Sequence, residues 1–172
     1  AQDGCVSAQC HATLLKAKTV HPATESCESC HESVGTPHPQ KGKEAFKLSA
    51  EPPELCEGCH EPFGKKARVH PPAKEGMCTA CHDPHASNQP NLLVEPGVPQ
   101  LCYQCHDQVG ERIAKGPTVH AAVQEGDRCI TCHNPHASDH PALMAGPQET
   151  TCLGCHPSIV TKSMTLLHGP IQ

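Results

Sequence analysis

The sequence is organised around the stretch Cys78-Thr79-Ala80-Cys81-His82-Asp83-Pro84-His85-Ala86-Ser87. The same order of residue types returns at residues 129–138 as Cys-Ile-Thr-Cys-His-Asn-Pro-His-Ala-Ser. Each copy contains two cysteines separated by two residues, a histidine directly after the second cysteine, and another histidine three residues later. A recurrence of this kind indicates a structural repeat, and the repeat decides how the rest of the chain is interpreted.

Every cysteine of the chain belongs to a motif that ends in Cys-His. The fourteen cysteines form seven pairs, six with the spacing CxxCH and one, Cys5 and Cys10, with four intervening residues. C-x-x-C-H is the signature of c-type haem attachment, in which two thiols add to one porphyrin and the following histidine binds the iron. The motifs therefore predict seven haem c groups, attached at Cys5/Cys10-His11, Cys27/Cys30-His31, Cys56/Cys59-His60, Cys78/Cys81-His82, Cys102/Cys105-His106, Cys129/Cys132-His133 and Cys152/Cys155-His156.

Two structural alternatives explain the cysteines less completely. A disulfide framework accounts for fourteen cysteines in a secreted chain, but it does not require a histidine after every second one. Zinc ribbons built from paired CxxC units likewise leave most of the histidines unexplained. Haem attachment accounts for both residue types at once.

Composition predicts a fold without an ordinary hydrophobic core. Only 36% of the 172 residues are hydrophobic and three are aromatic, whereas soluble domains have roughly 45–50% apolar residues. We therefore expect a mostly coil chain with short α-helices and no significant sheet, wrapped around haems that form the core. Helical stretches are expected at residues 12–20, 111–115 and 158–167, because proline and glycine interrupt the rest.

Charge and hydropathy argue against nucleic-acid binding and against a membrane-spanning helix. The net charge of −5, with scattered basic residues, disfavours nucleic-acid binding. No apolar run approaches the roughly 20 residues that span a bilayer. We expect no signal peptide within these residues. A start at Ala1 would suit a mature chain from which a leader has been removed.

A repeat of about 50 residues assigns the histidines outside the motifs. Seven haems with two imidazoles each need seven of the remaining eight histidines. One set recurs once per repeat at His21, His70, His120 and His168, and a second set recurs at His38, His85 and His136. These seven are the predicted distal ligands, and His140 has no counterpart. We expect one elongated multihaem domain over residues 1–172, with a half unit at 1–26 and units at 27–77, 78–128 and 129–172.

A simple register follows if each distal histidine binds the next suitable haem along the chain. His21, His70 and His120 would then face the irons of His31, His82 and His133. His38, His85 and His136 would face those of His60, His106 and His156. His168 would remain for the first haem of another copy, which predicts a head-to-tail homopolymer. If instead His21 folds back onto the haem of His11 and His168 onto that of His156, the monomer is complete.

The phrase C-x-x-C-H-[D/N]-P-H-A-S, followed by P-x-L-C-x-x-C-H, resembles the doubled-CxxCH multihaem c-type cytochromes of respiring bacteria and archaea. The likeness is most specific from Val69 to His156. It implies bis-histidine haems stacked in a chain and extracytoplasmic electron transfer, either periplasmic or at the cell surface. The family's relatives include porin-bound carriers and extracellular cytochromes that form filaments. Redox proteins or extracellular acceptors such as metal oxides are the implied partners.

An enzymatic function is less favoured by the same residues. Catalysis at an iron needs an open coordination position, whereas the imidazoles outnumber the positions to be filled. No motif ends in Cys-Lys, the variation at the active haem of the related nitrite reductases. We therefore expect an electron-transfer protein, with a discrete periplasmic or porin-bound carrier and a multihaem reductase as alternatives to a filament protomer.

Overall fold

The computed structural model describes Cys5, residues 10–124 and residues 129–159. In these residues short elements alternate with turns, so the prediction of a mostly coil chain with short helices is confirmed. The helices are α1 (Glu54–Glu57), α2 (Pro71–Lys74), α3 (Val98–Tyr103), α4 (Asp107–Lys115) and α5 (Gln148–Leu153). The strands are β1 (Thr19–Val20), β2 (His31–Ser33), β3 (Phe46–Leu48), β4 (Arg68–Val69), β5 (Ala86–Ser87) and β6 (Ala137–Ser138).

The three expected helical stretches have different outcomes. Residues 111–115 lie inside α4 and are confirmed. The helix expected over residues 12–20 is wrong in type and length, because a 3₁₀ helix at Ala12–Lys16 gives way to β1. Thr19 and Val20 are extended since they pair with Ser87 and Ala86. From residue 160 onward the third stretch lies outside the described residues.

Two-residue strand pairs join segments that are distant in sequence. β1 pairs antiparallel with β5, and β4 pairs antiparallel with β6 in the same way, Arg68 opposite Ser138 and Val69 opposite Ala137. A third pair, β2 with β3, is a local hairpin in which His31 lies opposite Leu48. The expected absence of a substantial sheet is therefore met in the described residues by three separate two-stranded ladders.

The chain divides into two compact units. One comprises residues 1–61 and 75–97, and it contains helix α1, the β1–β5 ladder and the β2–β3 hairpin. The other comprises residues 62–74 and 98–172, and it contains the β4–β6 ladder and helices α2 to α5. Each unit thus has the same kind of long-range strand pairing. That the chain is a single elongated domain stays a prediction.

Side chains alone do not form the interior. Few of the described residues are buried, namely Thr24, Ala45, Gly76, Pro99, Ala137 and Ser138, and no large side chain is completely buried. Phe46, Leu48 and Met77 are each at least 40% exposed. The low apolar content of the sequence is therefore matched by a chain that encloses no ordinary hydrophobic core.

Gly76 occupies the most restricted glycine position of the first unit. Its φ is +74°, a region in which side chains are disfavoured, and an added Cβ would lie 2.6 Å from the Pro53 nitrogen and 2.7 Å from the Pro52 carbonyl. Gly42 has the same backbone conformation, with φ +75°, but an added Cβ would meet nothing within 4 Å.

Gly76→Ala should therefore destabilise the protein more than Gly42→Ala does. The control substitution carries only the left-handed strain of about 1–2 kcal/mol, whereas Gly76→Ala must also displace the Pro52–Pro53 backbone. Thermal unfolding of the haem-loaded protein, followed by circular dichroism, measures both. Equal losses of stability in the two variants would contradict the close approach.

Candidate haem-binding sites

Five of the seven motifs fold so that the first cysteine and the histidine are one helical turn apart. The amide of His60 donates a hydrogen bond to the carbonyl of Cys56 at 2.9 Å. The same bond, from histidine to first cysteine, has lengths of 3.0 Å for His82 and Cys78, 2.9 Å for His106 and Cys102, 2.9 Å for His133 and Cys129, and 3.0 Å for His156 and Cys152. A single turn therefore brings two thiols and one imidazole onto neighbouring positions, as attachment to one porphyrin requires.

The two kinds of motif in the repeat begin on different local structures. Cys56, Cys102 and Cys152 lie in α-helices α1, α3 and α5. Two other motifs begin instead on 3₁₀ turns. The motif followed by Asp-Pro-His begins on the turn Cys78–Ala80, and the corresponding motif one repeat earlier begins on the turn Cys27–Ser29. From Cys27 onward, motifs that begin on turns thus alternate along the chain with motifs that begin on helices.

The second cysteine of a motif also differs in exposure between the two kinds. Cys59, Cys105 and Cys155, which follow the helical first cysteines, are exposed free thiols. Each donates its amide to the first cysteine of its motif, at 3.1, 3.2 and 3.3 Å respectively. Cys30, Cys81 and Cys132 of the other kind are half-buried. The backbone thus fixes each of these second cysteines beside the first cysteine of its motif. Haem attachment at their thiols stays a prediction.

Five motif histidines each face a histidine from outside the motifs at nearly constant separation. In every pair the two ring centroids are between 5.8 and 6.1 Å apart. The pairs are His11 with His38, His31 with His85, His60 with His21, His106 with His70, and His156 with His120. Their interplanar angles are 11°, 12°, 38°, 19° and 75° respectively.

These pairs correct the register expected from chain order. His21 faces His60 rather than His31, His70 faces His106 rather than His82, and His120 faces His156 rather than His133. His85 faces His31 rather than His106, and His38 faces His11 rather than His60. The rings do not pair in chain order because the β1–β5 ladder brings the Asp-Pro-His segment of one repeat back onto the preceding one.

The strand ladders join the non-motif histidines to one another. The His21 amide donates to the His85 carbonyl at 2.8 Å, and the His70 amide donates to the His136 carbonyl at 2.8 Å. Next to each ladder, one polar side chain accepts a hydrogen bond from a backbone amide of the opposite segment. Asn88 accepts from the Lys18 amide at 3.2 Å, and Asp139 accepts from the Ala67 amide at 3.1 Å. Asp139 also binds the Lys66 ammonium at 2.8 Å.

The Asp/Asn-Pro-His sequence forms a closed turn that orients its histidine. Oδ1 of Asp83 accepts from the amides of His85 and Ala86 at 2.8 and 3.0 Å, and Oδ1 of Asn134 accepts equivalently at 3.0 and 3.3 Å. Burial favours a higher pKa for Asp83, but the two amides and the nearby His85 imidazole bring its pKa below the ordinary value. Asp83 is therefore a fixed negative charge where Asn134 is neutral.

His21 and His120 are fixed by the turns that they begin. Nδ1 of His21 accepts from the Ala23 amide at 3.2 Å, and Nδ1 of His120 accepts from the Ala122 amide at 3.2 Å. Burial, with the neighbouring His60 and His85, lowers the pKa of His21. This shift favours the neutral imidazole, the form in which a histidine binds a metal ion.

The thiols of consecutive motifs lie next to one another in the first unit. Burial and the adjacent Cys78 thiol raise the pKa of Cys56 to about 11. Burial and the Cys27 thiol raise the pKa of Cys5 in the same way. All fourteen cysteines are among the described residues, and none forms a disulfide. No cluster of three or more His, Cys, Asp or Glu side chains suited to a bare metal ion occurs in the described part.

The remaining predicted residues have distinct environments. The His136 ring stacks on Phe63 at 4.8 Å. His140 occupies the place that Gln89 has in the preceding repeat, since each donates its amide to a serine hydroxyl, Ser138 or Ser87, at 3.0 Å. His168 lies outside the described residues.

Sequence reasoning missed two carbonyl groups that contact motif histidines. Nδ1 of His82 is 2.8 Å from the Asn91 carbonyl oxygen, and Nδ1 of His133 is 2.9 Å from that of Ala142. A signal was present in the sequence, because each acceptor directly follows a proline, Pro90 or Pro141, at the same distance along the chain from its histidine.

Known proteins share these motifs and their arrangement in pairs. The family model described as "Doubled CXXCH motif" matches three segments, residues 21–65, 70–111 and 120–161, which together cover most of the chain. The chain belongs to this doubled CXXCH family. The matched segments agree with the repeat of two motifs per unit, although each begins at a histidine rather than at a cysteine.

A curated relative is the multiheme cytochrome MtrA of Shewanella baltica (strain OS185). It is 32% identical over 109 residues, which are 60% of this chain and 29% of that protein. The chain thus spans less than a third of the length of this relative. With its family and this relative, the chain is a multihaem c-type cytochrome. In the described residues no helix is both long and apolar enough to cross a membrane.

Asp139→Asn should weaken the β4–β6 ladder in a pH-dependent way. The Lys66 hydrogen bond and the Ala67 amide lower the pKa of Asp139, so its ionised form stabilises the fold above the unfolded pKa of about 3.9. That contribution is lost as the pH falls through the lower folded pKa. Thermal midpoints should therefore differ between native protein and variant at pH 7 and converge under strongly acidic conditions.

Lys66→Met provides the matched background for this measurement. In that background Asp139→Asn should change the midpoint less, because the ammonium that attracts the carboxylate is gone. A native protein and variant with identical pH profiles would contradict the role of Asp139.

Proposed function

We propose that the chain is an electron carrier that holds seven c-type haems, each iron between two imidazoles. The supporting observation is the constant separation of the five histidine pairs. A metal–imidazole nitrogen bond is about 2.0–2.1 Å long and a ring centroid lies roughly 1.1 Å behind the nitrogen, so two imidazoles on one metal ion have centroids about 6 Å apart. The observed 5.8–6.1 Å fits an iron between the rings.

His136 is proposed as a further distal ligand. Its segment folds like that of His85, because Asn134 and Asp83 make equivalent turns. Since His85 faces the motif histidine His31, we expect His136 to serve as a distal ligand as well.

Three histidines outside the motifs remain for the irons of His82 and His133. The five pairs use ten of the fifteen histidines and leave His136, His140 and His168 as candidates. His140 lies two residues before Ala142, whose carbonyl contacts the His133 ring at Nδ1, behind the nitrogen that would bind iron. Therefore His140 is the spare histidine, in agreement with its lack of a counterpart in the other repeats.

The first haem would have both imidazoles from one chain. His38 faces His11 at 6.0 Å, which supports a second ligand from the same chain where the head-to-tail hypothesis takes it from another copy. We therefore propose a discrete extracytoplasmic carrier, periplasmic or bound to a porin, rather than a filament protomer. Its partners would be redox proteins or extracellular acceptors such as metal oxides.

The backbone brings neighbouring haem sites together. Within the first unit, the hydrogen bond between His21 and His85 links a ligand of the His60 iron to a ligand of the His31 iron. The adjacent thiols of Cys56 and Cys78 belong to the third and fourth motifs. Each haem supplies a reversible one-electron iron couple, and these contacts keep successive couples close enough for transfer between them.

Two imidazoles on each iron also argue against a reductase. A haem that binds and converts a small substrate needs an open coordination position, and two imidazoles on each iron would leave no such position open. The polypeptide then acts by positioning the haems and by tuning their potentials through ligands, burial and nearby charge.

His85→Ala tests the haem ligation and the register together. It should convert one haem of seven from low spin to high spin in electron paramagnetic resonance spectra, because the His31 iron loses one imidazole. Adding Cys27→Ala and Cys30→Ala removes that haem, so the triple variant should contain six haems, all low spin.

The alternative register gives a different result for the triple variant. If His85 bound the His106 iron, six haems would remain and one would still be high spin. His140→Ala is the matched control and should leave seven low-spin haems. Fewer than seven haems in the native protein, counted by mass spectrometry, would contradict the proposed function itself.

Asp83→Asn should raise the midpoint potential of one haem. Oδ1 of Asp83 is 3.9 Å from Nδ1 of His85, so its negative charge stabilises the ferric form of the iron that His85 faces. Asn134 shows that an amide supports the same turn. The reciprocal Asn134→Asp should lower the potential of a different haem. Spectroelectrochemical titration measures both, and unchanged potentials in the two variants would contradict the electrostatic effect.

A further inference from the structure

Two turns of unusual backbone conformation occupy equivalent places in the two units. Asn91 and Leu92 have φ values of 54° and 57°, and Ala142 and Leu143 have 52° and 55°. Leu93 donates its amide to Pro90 at 3.2 Å and Met144 donates to Pro141 at 3.1 Å, closing each turn around its two left-handed residues. Such turns are dominated by glycine, asparagine and aspartate. Leucine and alanine here are strained, and strain of this kind collects at functional sites.

Hydrogen bonds from the neighbouring motif hold each turn in place. The Asp83 amide donates to the Leu92 carbonyl at 2.8 Å, and the Val94 amide donates to the Cys81 carbonyl at 3.1 Å. In the second unit the Asn134 amide donates to Leu143 at 2.7 Å and the Ala145 amide donates to Cys132 at 2.8 Å. The Ser87 hydroxyl bonds the Leu93 carbonyl at 2.6 Å, and Ser138 bonds that of Met144.

The held turn presents a carbonyl oxygen to the ring of the motif histidine. The Asn91 oxygen lies 2.8 Å from Nδ1 of His82, and the Ala142 oxygen lies 2.9 Å from Nδ1 of His133. A carbonyl can only accept, so Nδ1 carries the proton and the lone pair is left on Nε2. Elsewhere in the described chain no motif histidine has such a contact. At His31 the β2–β3 hairpin takes the place of the turn.

We propose that these turns set redox potentials: the Asn91 and Ala142 carbonyls hold the haems of His82 and His133 at lower midpoint potentials than those of the other motifs. The inference rests on the proposed ligation of iron by these two histidines. A hydrogen bond at Nδ1–H makes an imidazole a stronger donor to its metal, which favours the ferric state. In each repeat that carries the turn, one haem would thereby have a low midpoint potential. Asn91 and Ala142 act through the motif histidines His82 and His133 and are therefore positioning residues.

Two substitutions at Asn91 separate the carbonyl from the strain. Asn91→Gly keeps the left-handed turn and relieves it, whereas Asn91→Pro fixes φ at about −65° and removes the turn. We expect the proline variant to show a rise in the midpoint potential of one haem in seven. Its near-infrared charge-transfer band should move to lower energy as the ring loses imidazolate character. The glycine variant should retain all native potentials.

Several outcomes would overturn the inference. A proline variant with seven low-spin haems and native potentials would do so, as would a glycine variant that shifts a potential as far as the proline variant. Loss of haem from the native protein would instead contradict the proposed function, and haem content is therefore measured in every sample.

A second measurement remains informative if the proline variant does not fold. Cys78→Ala with Cys81→Ala deletes the haem of His82, and Cys56→Ala with Cys59→Ala deletes the haem of His60 as the matched control. In redox titrations the first deletion should remove one of the two lowest-potential components, and the control should remove a higher one. The opposite assignment would overturn the inference.

Discussion

The gap of about 6 Å between paired imidazole rings is the constraint on which the rest of the structure depends. It is too wide for direct stacking of the kind that Phe63 and His136 make at 4.8 Å, and it suits two nitrogens that share one metal ion. One ring of each pair directly follows a cysteine of its motif. The other is fixed by a short strand or turn from a different part of the chain, so each pair also ties two distant segments together.

Such ties explain how a chain with so little apolar surface can adopt a defined fold. Ordering a residue costs roughly 1–2 kcal/mol of backbone entropy, and the few buried side chains of the described residues cannot offset that cost. Two-residue strand pairs such as β1–β5 are too short to be stable alone. We infer that the covalently attached haems supply the missing interior, and that the strands and turns mainly orient ligands.

Part of this architecture is evident from sequence because cysteine and histidine chemistry is local. The motif spacing indicates haem attachment, and the internal repeat separates His140 from the other histidines. The partner of each distal histidine is not local. His21 reaches His60, and not the nearer His31, because β1 pairs with β5, which lies far along the chain. The carbonyls of Asn91 and Ala142 are marked in the sequence only by the prolines before them, since their contacts depend on backbone conformation rather than on residue type.

The central claim is that each iron is held by the histidine pair that the fold brings together. An experimentally determined structure of the haem-loaded protein, with the two axial ligands of every iron identified, tests it most directly. We predict His38 on the iron of His11, His85 on that of His31, His21 on that of His60, His70 on that of His106 and His120 on that of His156. A structure in which His21 binds the His31 iron, or in which the first iron takes its second ligand from another copy, would contradict it.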